Sequence, residues 1–277
     1  MGTIAMNLKP LRLFAGLGCA AFLCGPLPAP AQTAPPLGVL QQFSALGNSG
    51  VTGSTGLGTV CNGDVGSSPT PSVTNFPPST VAPPFTLHLA NDATVQQAHA
   101  DANIAYNALA AQGPGTVLAA QLDGAVLTSG IYSFQGGAAD LAALGTLTLN
   151  GAGAFVFQVD SALTANVGSN VIGTADPCLV FWRVGTSATL NGVGFRGNVI
   201  ADANVTVGSG SNVTGRAIAG RGPTGAVTMA GSGGNAIGGC AAPGSATAVP
   251  ALDRVGMAIL FALLAAAGLT VLKRLAL

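Results

Sequence analysis

Charge is scarce in this chain. Asp, Glu, Lys and Arg make up 6% of its 277 residues, glutamate is absent, and no lysine lies between Gln32 and Ala248. Nine basic and nine acidic residues leave no basic footprint to neutralise phosphates, so nucleic acid is excluded as a partner. The scarcity also weighs against catalysis. Cleaving a polysaccharide needs paired carboxylates, or a calcium cluster beside a base. Here Asp123, Asp140, Asp160, Asp176 and Asp202 are scattered singly, and Arg183, Arg196, Arg216 and Arg221 read as solvated or edge groups, so no enzyme is expected. The two histidines, His88 and His99, are too few for a zinc site, and the cysteine spacing matches none. Neither metal nor cofactor is expected. Aromatics at 5% provide no evident platform for stacking sugars.

The two ends of the chain differ from the rest. Lys9 and Arg12 precede an apolar stretch from Leu13 to Leu27, and Ala29-Pro30-Ala31 offers small residues for cleavage before Gln32; residues 1–31 read as a secretory signal. Cys19 and Cys24 lack the upstream pattern of a lipidation site. At the far end Val255 to Leu272 is an almost wholly apolar run followed by Lys273 and Arg274, long enough for a marginal membrane span. Residues 249–277 resemble bacterial C-terminal sorting signals, in which a short Pro-containing motif, an apolar helix and a basic tail are processed by an exosortase-like enzyme. Val249-Pro250-Ala251-Leu252 departs from the commonest Ile-Pro-Thr-Leu form. The alternative is a plain membrane anchor. Either reading places residues 32–248 outside the cytoplasm, exported to the cell surface or beyond, with the membrane touched only through the tail. Three cysteines remain after the signal, Cys61, Cys178 and Cys240. They permit three pairings, which sequence alone cannot separate; Cys178 with Cys240 is preferred.

What the chain has in quantity is glycine, 41 residues, together with Thr, Ser, Asn, Val and Ala. That mixture suits tight repeated turns and thin strands, and 49% hydrophobic residues argue against disorder. From Leu37 to Thr80, Gly, Ser and Pro recur every few residues, which predicts short strands. One helix is expected at about 88–112, with Asn91 or Asp92 as cap and Gly113-Pro114-Gly115 as stop. Its apolar face runs through Val95, Ala98, Ala102, Ala105 and Leu109, leaving Gln97, Asp101 and Asn107 outside. His99 is read as a surface or boundary residue.

After Gly115 the sequence repeats. VFWRVGTSATLNG begins at Val180, GNVIADANVTVGSG at Gly197 and GRAIAGRGPTGAVTMAG at Gly215, a period of about 18 to 20 residues that suits one coil of a solenoid. Looser copies begin near Gly145 and Phe155. A threonine returns between apolar neighbours in each copy: Thr148, Thr164, Thr189, Thr206 and Thr228. Strand alternation turns the neighbours inward and threonine outward, and stacked coils would set these threonines about 4.8 Å apart. The outer ladder can equally be structural.

The order of these blocks resembles the bacterial and fungal ice-binding proteins. The carrying segments are GNSGVTGSTGLGTVCNGDVGSSPTPSVTNFPP, the Ala-rich helix, LTSGIYSF, GTLTLNGAGAFVFQVDSALT, CLVFWRVGTSATL and GNVIADANVTVGSGSNVTGRAIA. That resemblance implies a mainly β fold, a right-handed parallel β-solenoid (β-helix) with one long α-helix packed alongside. It also implies a flat face of Thr, Ser, Asn and Ala that holds ordered water, often through a motif of Thr, Ala or Gly, any residue, then Thr or Asn. Carried onto this sequence, imperfect copies expose Asn150, Ala152, Thr164, Asn166, Asn191, Val193, Ser209 and Ser211. The threonine ladder, with Thr148, Thr189, Thr206 and Thr228, is the second choice of face. A surface adhesin or structural solenoid without ice affinity is the competing reading.

Overall fold

The computed structural model describes residues 32–221 and 224–240, with Gly2 alone before them. The signal expected over 1–31, residues 241–248 and the tail expected over 249–277 lie outside the described residues. Within that range the chain is mainly β with a single α-helix, and every strand pairing is parallel.

Successive passes of the chain contribute to three walls. The first is a sheet of short strands in the order Ala139–Leu141, Leu163–Ala165, Ala188–Leu190, Val205–Val207, Ala226–Met229, Gly50–Thr52 and Val73–Thr74. The second and third share long strands such as Thr146–Val159, Gly194–Ala201 and Asn212–Ala219, which bend from one wall to the next. Glycine supplies the bends. Gly197 (φ +121°) pairs with Gly215 (φ +150°), and a Cβ on Gly197 would fall 2.8 Å from Trp182 Nε1.

Alternation builds the core between the walls. Tyr132, Phe157 and Trp182 pair in register and stack, with ring centroids 5.5 Å apart for the first two and 3.8 Å for Phe157 and Trp182. The Trp182 indole N–H donates to the Arg196 carbonyl at 3.0 Å, so its one polar group is satisfied in the interior. The core also holds Cys61, a free thiol that burial pushes up to about 12.

The stack is assembled out of sequence order. Strands Phe43–Gly47, Gly50–Thr52 and Thr59–Asn62 pair with Asn212–Ala219, Ala226–Met229 and Asn235–Gly239, so the first pass of the chain lies against the last. After Leu87 the chain must travel back to the opposite end. Six strand steps separate Asp64–Ser67 from Val126–Phe134 along the second wall, about 29 Å at the usual spacing. The helix Ala93–Ala110 has 18 residues and spans about 27 Å, so it serves as the return connection.

That helix buries Val95, Ala98, Ala102, Ala105, Tyr106 and Leu109 against Phe43, Leu46, Ile131, Val156, Phe181, Ile200 and Ile218, a second apolar layer outside the strands. The expected alanine-rich stripe is the docking face; its small side chains let helix and wall approach closely. Asp92 caps the helix, accepting from the Val95 N–H at 3.0 Å. Asp101 departs from expectation: it is buried rather than outside. Its carboxylate accepts from the Val39 N–H at 2.6 Å and Gln97 Nε2 at 2.9 Å, tying the turn Gly38–Gln42 to the helix. Local periodicity cannot register a partner 62 residues away.

A Cys178–Cys240 disulfide, the preferred pairing, fastens the last described strand to the turn before Val180–Val184, with Cα atoms 5.3 Å apart.

Candidate functional site

The first wall carries one repeated feature. Each strand turns its apolar residues inward and one polar residue outward, and parallel register aligns those outward residues into a row. Thr164 pairs with Thr189, Thr189 with Thr206, Thr206 with Thr228, Thr228 with Thr52 and Thr52 with Thr74. At the other end the row continues through Asp140 and the isolated bridge to Gln121. Val205 and Val207 beside Thr206 are fully buried, as are Ala165 and Leu190 beside their own threonines; packing of these neighbours fixes the backbone from which each hydroxyl projects. Threonine is stiff at χ1, so the row loses little rotamer freedom when it meets a surface. The hydroxyls of Thr74 and Thr52 lie 3.3 Å apart. Asp140 is the one charged residue among the described positions of the row.

The two sets of residues singled out from sequence are redistributed by the fold. Thr164, Thr189, Thr206 and Thr228 share the row. Thr148 does not: it pairs with Val126 and Ile172 on the third wall, because the repeat beginning near Gly145 is the first half of a long strand rather than the short-strand part of a coil. From the other set, Thr164 is in the row, and Asn166 and Asn191 follow Thr164 and Thr189 by two positions on the adjoining turn. Asn166 Nδ2 donates to Asp140 Oδ1 at 3.1 Å and the Leu141 carbonyl at 3.0 Å.

Asn150 and Ala152 lie on Thr146–Val159, away from the row; Asn150 Oδ1 accepts from the Thr174 N–H at 3.2 Å. Val193 and Ser209 are exposed at turns, Ser209 Oγ standing 3.3 Å from Ser232 Oγ. Ser211 corrects the outward assignment: it is 1% exposed, since the turn at Gly208–Asn212 breaks the strict alternation that would have turned it out. Thr52 and Thr74 were missed. Their signal was the Val-Thr doublet at 51–52 and 73–74, which matches Val205-Thr206 and Val227-Thr228 but lies in a Pro- and Gly-rich stretch where no period was evident.

Ionisable groups brace the fold away from the row. His88 Nδ1 lies 2.7 Å from Asp92 and its Nε2 3.4 Å from Asp64. The hydrogen bond to Asp64 raises its pKa above the ordinary value, with Asp92 adding to the rise and burial opposing it. His99 is half buried, 3.3 Å from Asn48 Nδ2, and burial holds its pKa below the ordinary value. Arg216, buried, donates to Asn198 Oδ1 at 2.6 Å and to the carbonyls of Gln41 and Cys240 at 2.8 and 2.5 Å; burial pushes its pKa down to about 10. Arg183 contacts Gln158, Asp160 and the Tyr106 hydroxyl beside a cleft of about 210 Å³ at the helix C-terminus. Among the described residues no group of three His, Cys, Asp or Glu side chains is placed to hold a metal ion.

A parallel stack braced by a helix on one wall thus carries an in-register row of threonines on another. The chain belongs to the ice-binding-like family, whose family model matches residues 45–233. It is 36% identical over 157 residues to ice-binding protein 1 of Shewanella frigidimarina, an alignment covering 52% of this chain and 17% of that protein, so the chain spans about a sixth of its relative. Among solved structures, it is similar to the ice-binding protein of the Antarctic ascomycete Antarctomyces psychrotrophicus at 34% identity and TM-score 0.63, over 74% of this chain and 98% of that one. An ice-binding protein from an Antarctic biological consortium is 29% identical with TM-score 0.63, over 84% and 96% of the two chains.

Proposed function

We propose that this protein binds ice through the threonine row of its first wall and performs no bond-making chemistry. The observation carrying this reading is the unbroken register of Thr164, Thr189, Thr206, Thr228, Thr52 and Thr74. Each threonine presents a methyl group that restricts water and a hydroxyl that anchors it, repeated about 4.8 Å apart. Asn166 and Asn191 border the row and extend the ordered surface. The all-parallel stack supports a right-handed β-solenoid as the scaffold. Export by the N-terminal signal, and retention at the cell surface through the C-terminal tail until an exosortase-like enzyme removes it, would put the row in contact with extracellular ice.

Thermal hysteresis and ice-recrystallisation inhibition by the purified chain test the reading, with Thr206→Tyr and Ser209→Tyr compared. Tyrosine at 206 would stand up between Thr189 and Thr228 and hold a flat crystal off the row. We expect most of the activity to vanish in Thr206→Tyr and to persist in Ser209→Tyr, which alters a turn beside the row. A folded wild-type chain inactive in both assays would leave a surface adhesion scaffold as the better account.

A further inference from the structure

The cleft at the end of the helix gathers polar side chains from successive passes of the chain. Ser133, Gln158 and Arg183 stand in register on neighbouring strands of the second wall. Asp160 sits on the bend that follows Thr146–Val159, and Gly113 and Pro114 line the side towards the helix. The polar groups are held from behind. Gln158 is 3% exposed; its Nε2 donates to the Leu109 carbonyl at 2.5 Å and its Oε1 accepts from Arg183 Nε. Arg183 is fixed further by Asp160 and by the Tyr106 hydroxyl, to which Nη1 donates at 3.2 Å. Hydrogen-bonding capacity is left over along the cleft. The Ser133 hydroxyl bonds to no group among the described residues. Gln158 Nε2 and both Nη atoms of Arg183 each keep a second N–H, and Asp160, with its side chain 69% exposed, keeps one open oxygen. The last carbonyls of the helix have no following turn to bond them.

We propose that this cleft binds one sugar unit of an extracellular glycan through adjacent ring hydroxyls. Charge and hydrogen-bond direction select that ligand. The charges of Arg183 and Asp160 cancel; a lone anion would meet Asp160 and the negative end of the helix, and a lone cation would meet Arg183. An uncharged ligand that donates and accepts at neighbouring positions satisfies both halves of the site. Each sugar hydroxyl has one donor and two acceptor positions, so adjacent hydroxyls donate to Asp160 or Ser133 while accepting from Arg183 and Gln158. The volume of about 210 Å³ lies below the roughly 300 Å³ at which sites for drug-sized ligands begin. It suits a single ring, with the remainder of the glycan outside. No aromatic platform is involved: Tyr106 is 5% exposed, and the Arg183 and Arg221 guanidinium groups lie 5.4 and 4.5 Å from its ring centre. Recognition therefore rests on hydrogen bonds exchanged with water, and the expected Kd is about 1 mM. The threonine row is on the first wall and the cleft on the second, so ice and sugar do not compete. A protein exported as proposed above would hold ice on one wall and surface polysaccharide on another.

The test is saturation-transfer NMR of the full chain with the methyl glycosides of glucose, mannose and galactose, alongside the free sugars, inorganic phosphate and glycine betaine. Wild type, Ser133→Ala, Asp160→Ala and Thr206→Tyr are compared, with thermal melting as a control and thermal hysteresis as a second readout. At least one glycoside should receive saturation from wild type and from Thr206→Tyr, and several-fold less from Ser133→Ala and Asp160→Ala. Both cleft variants should keep their hysteresis, since neither touches the row. Absence of transfer to every glycoside would overturn the proposal, as would equal transfer in wild type and both cleft variants, which would place the sugar elsewhere. Transfer to the free sugars alone would overturn attachment to a glycan. Binding of phosphate or betaine at the cleft without any sugar would make it an ion site and overturn the proposal. A wild type that binds sugar but lacks hysteresis would leave the cleft standing and remove the ice reading.

Discussion

Threonine at position 206 and glycine at position 197 show how differently single residues act in this scaffold. Thr206 is half buried and stands between two buried valines, so replacing it with tyrosine alters the outer surface and leaves the core intact; the expected loss is of ice activity with melting unchanged. Gly197 is the reverse case. It bends a long strand at φ +121°, and an added Cβ would come within 2.8 Å of both Trp182 Nε1 and Val180 Cγ1. Gly197→Ala therefore combines an unfavourable backbone with overpacking, and its urea midpoint should fall by an amount corresponding to about 2 kcal/mol or more. The threonines were legible at this scale because each sits between inward apolar neighbours. Ser211 was not, since a turn two residues earlier reversed its direction.

Among the elements, the helix depends on ionic detail at its start. His88 joins the cap residue Asp92 to Asp64 on the adjacent strand. Its protonated form is favoured in the folded state, so its pKa lies above the ordinary value of 6.5, chiefly through Asp64. That sign fixes the pH dependence. The stabilisation is fully present below the unfolded-state value and is lost as pH rises through the folded-state value. Melting temperature should therefore decline as the pH is raised above about 6.5, and His88→Gln should flatten that decline; an identical pH profile in the variant would remove His88 from the account. The helix itself was readable from its alanine stripe, and it begins at Ala93 and ends at Ala110 within the span expected. Its role as a return connection was not, because that follows from the distance between the ends of the stack.

The folded unit as a whole has a seam where its first strands meet its last. Thr228 and Thr52 sit across it, so the threonine row is continuous only if the seam holds. Arg216 reaches the Gln41 and Cys240 carbonyls on its two sides, and the Cys178–Cys240 disulfide closes a separation of 62 residues. The chain-entropy relation puts the stabilisation from a loop of that length at roughly 4 kcal/mol. Cys178→Ser should lower unfolding free energy by up to that amount and speed amide exchange in Asn235–Gly239 more than in Leu163–Ala165. Equal protection in both strands would show that the disulfide does not secure the seam.

Composition and short-range pattern by themselves determined the sparse charge, the repeating strands, the alanine-rich helix and its docking face, and a row of outward threonines. Those properties depend on neighbours within a few residues, where alternation and helical spacing act. Tertiary structure alone decided that Thr52 and Thr74 join the row, that Thr148 leaves it, and that Asp101 is buried. Each of these outcomes depends on which distant strand or turn lies alongside, and register between passes is set by packing across the whole stack rather than by adjacent residues.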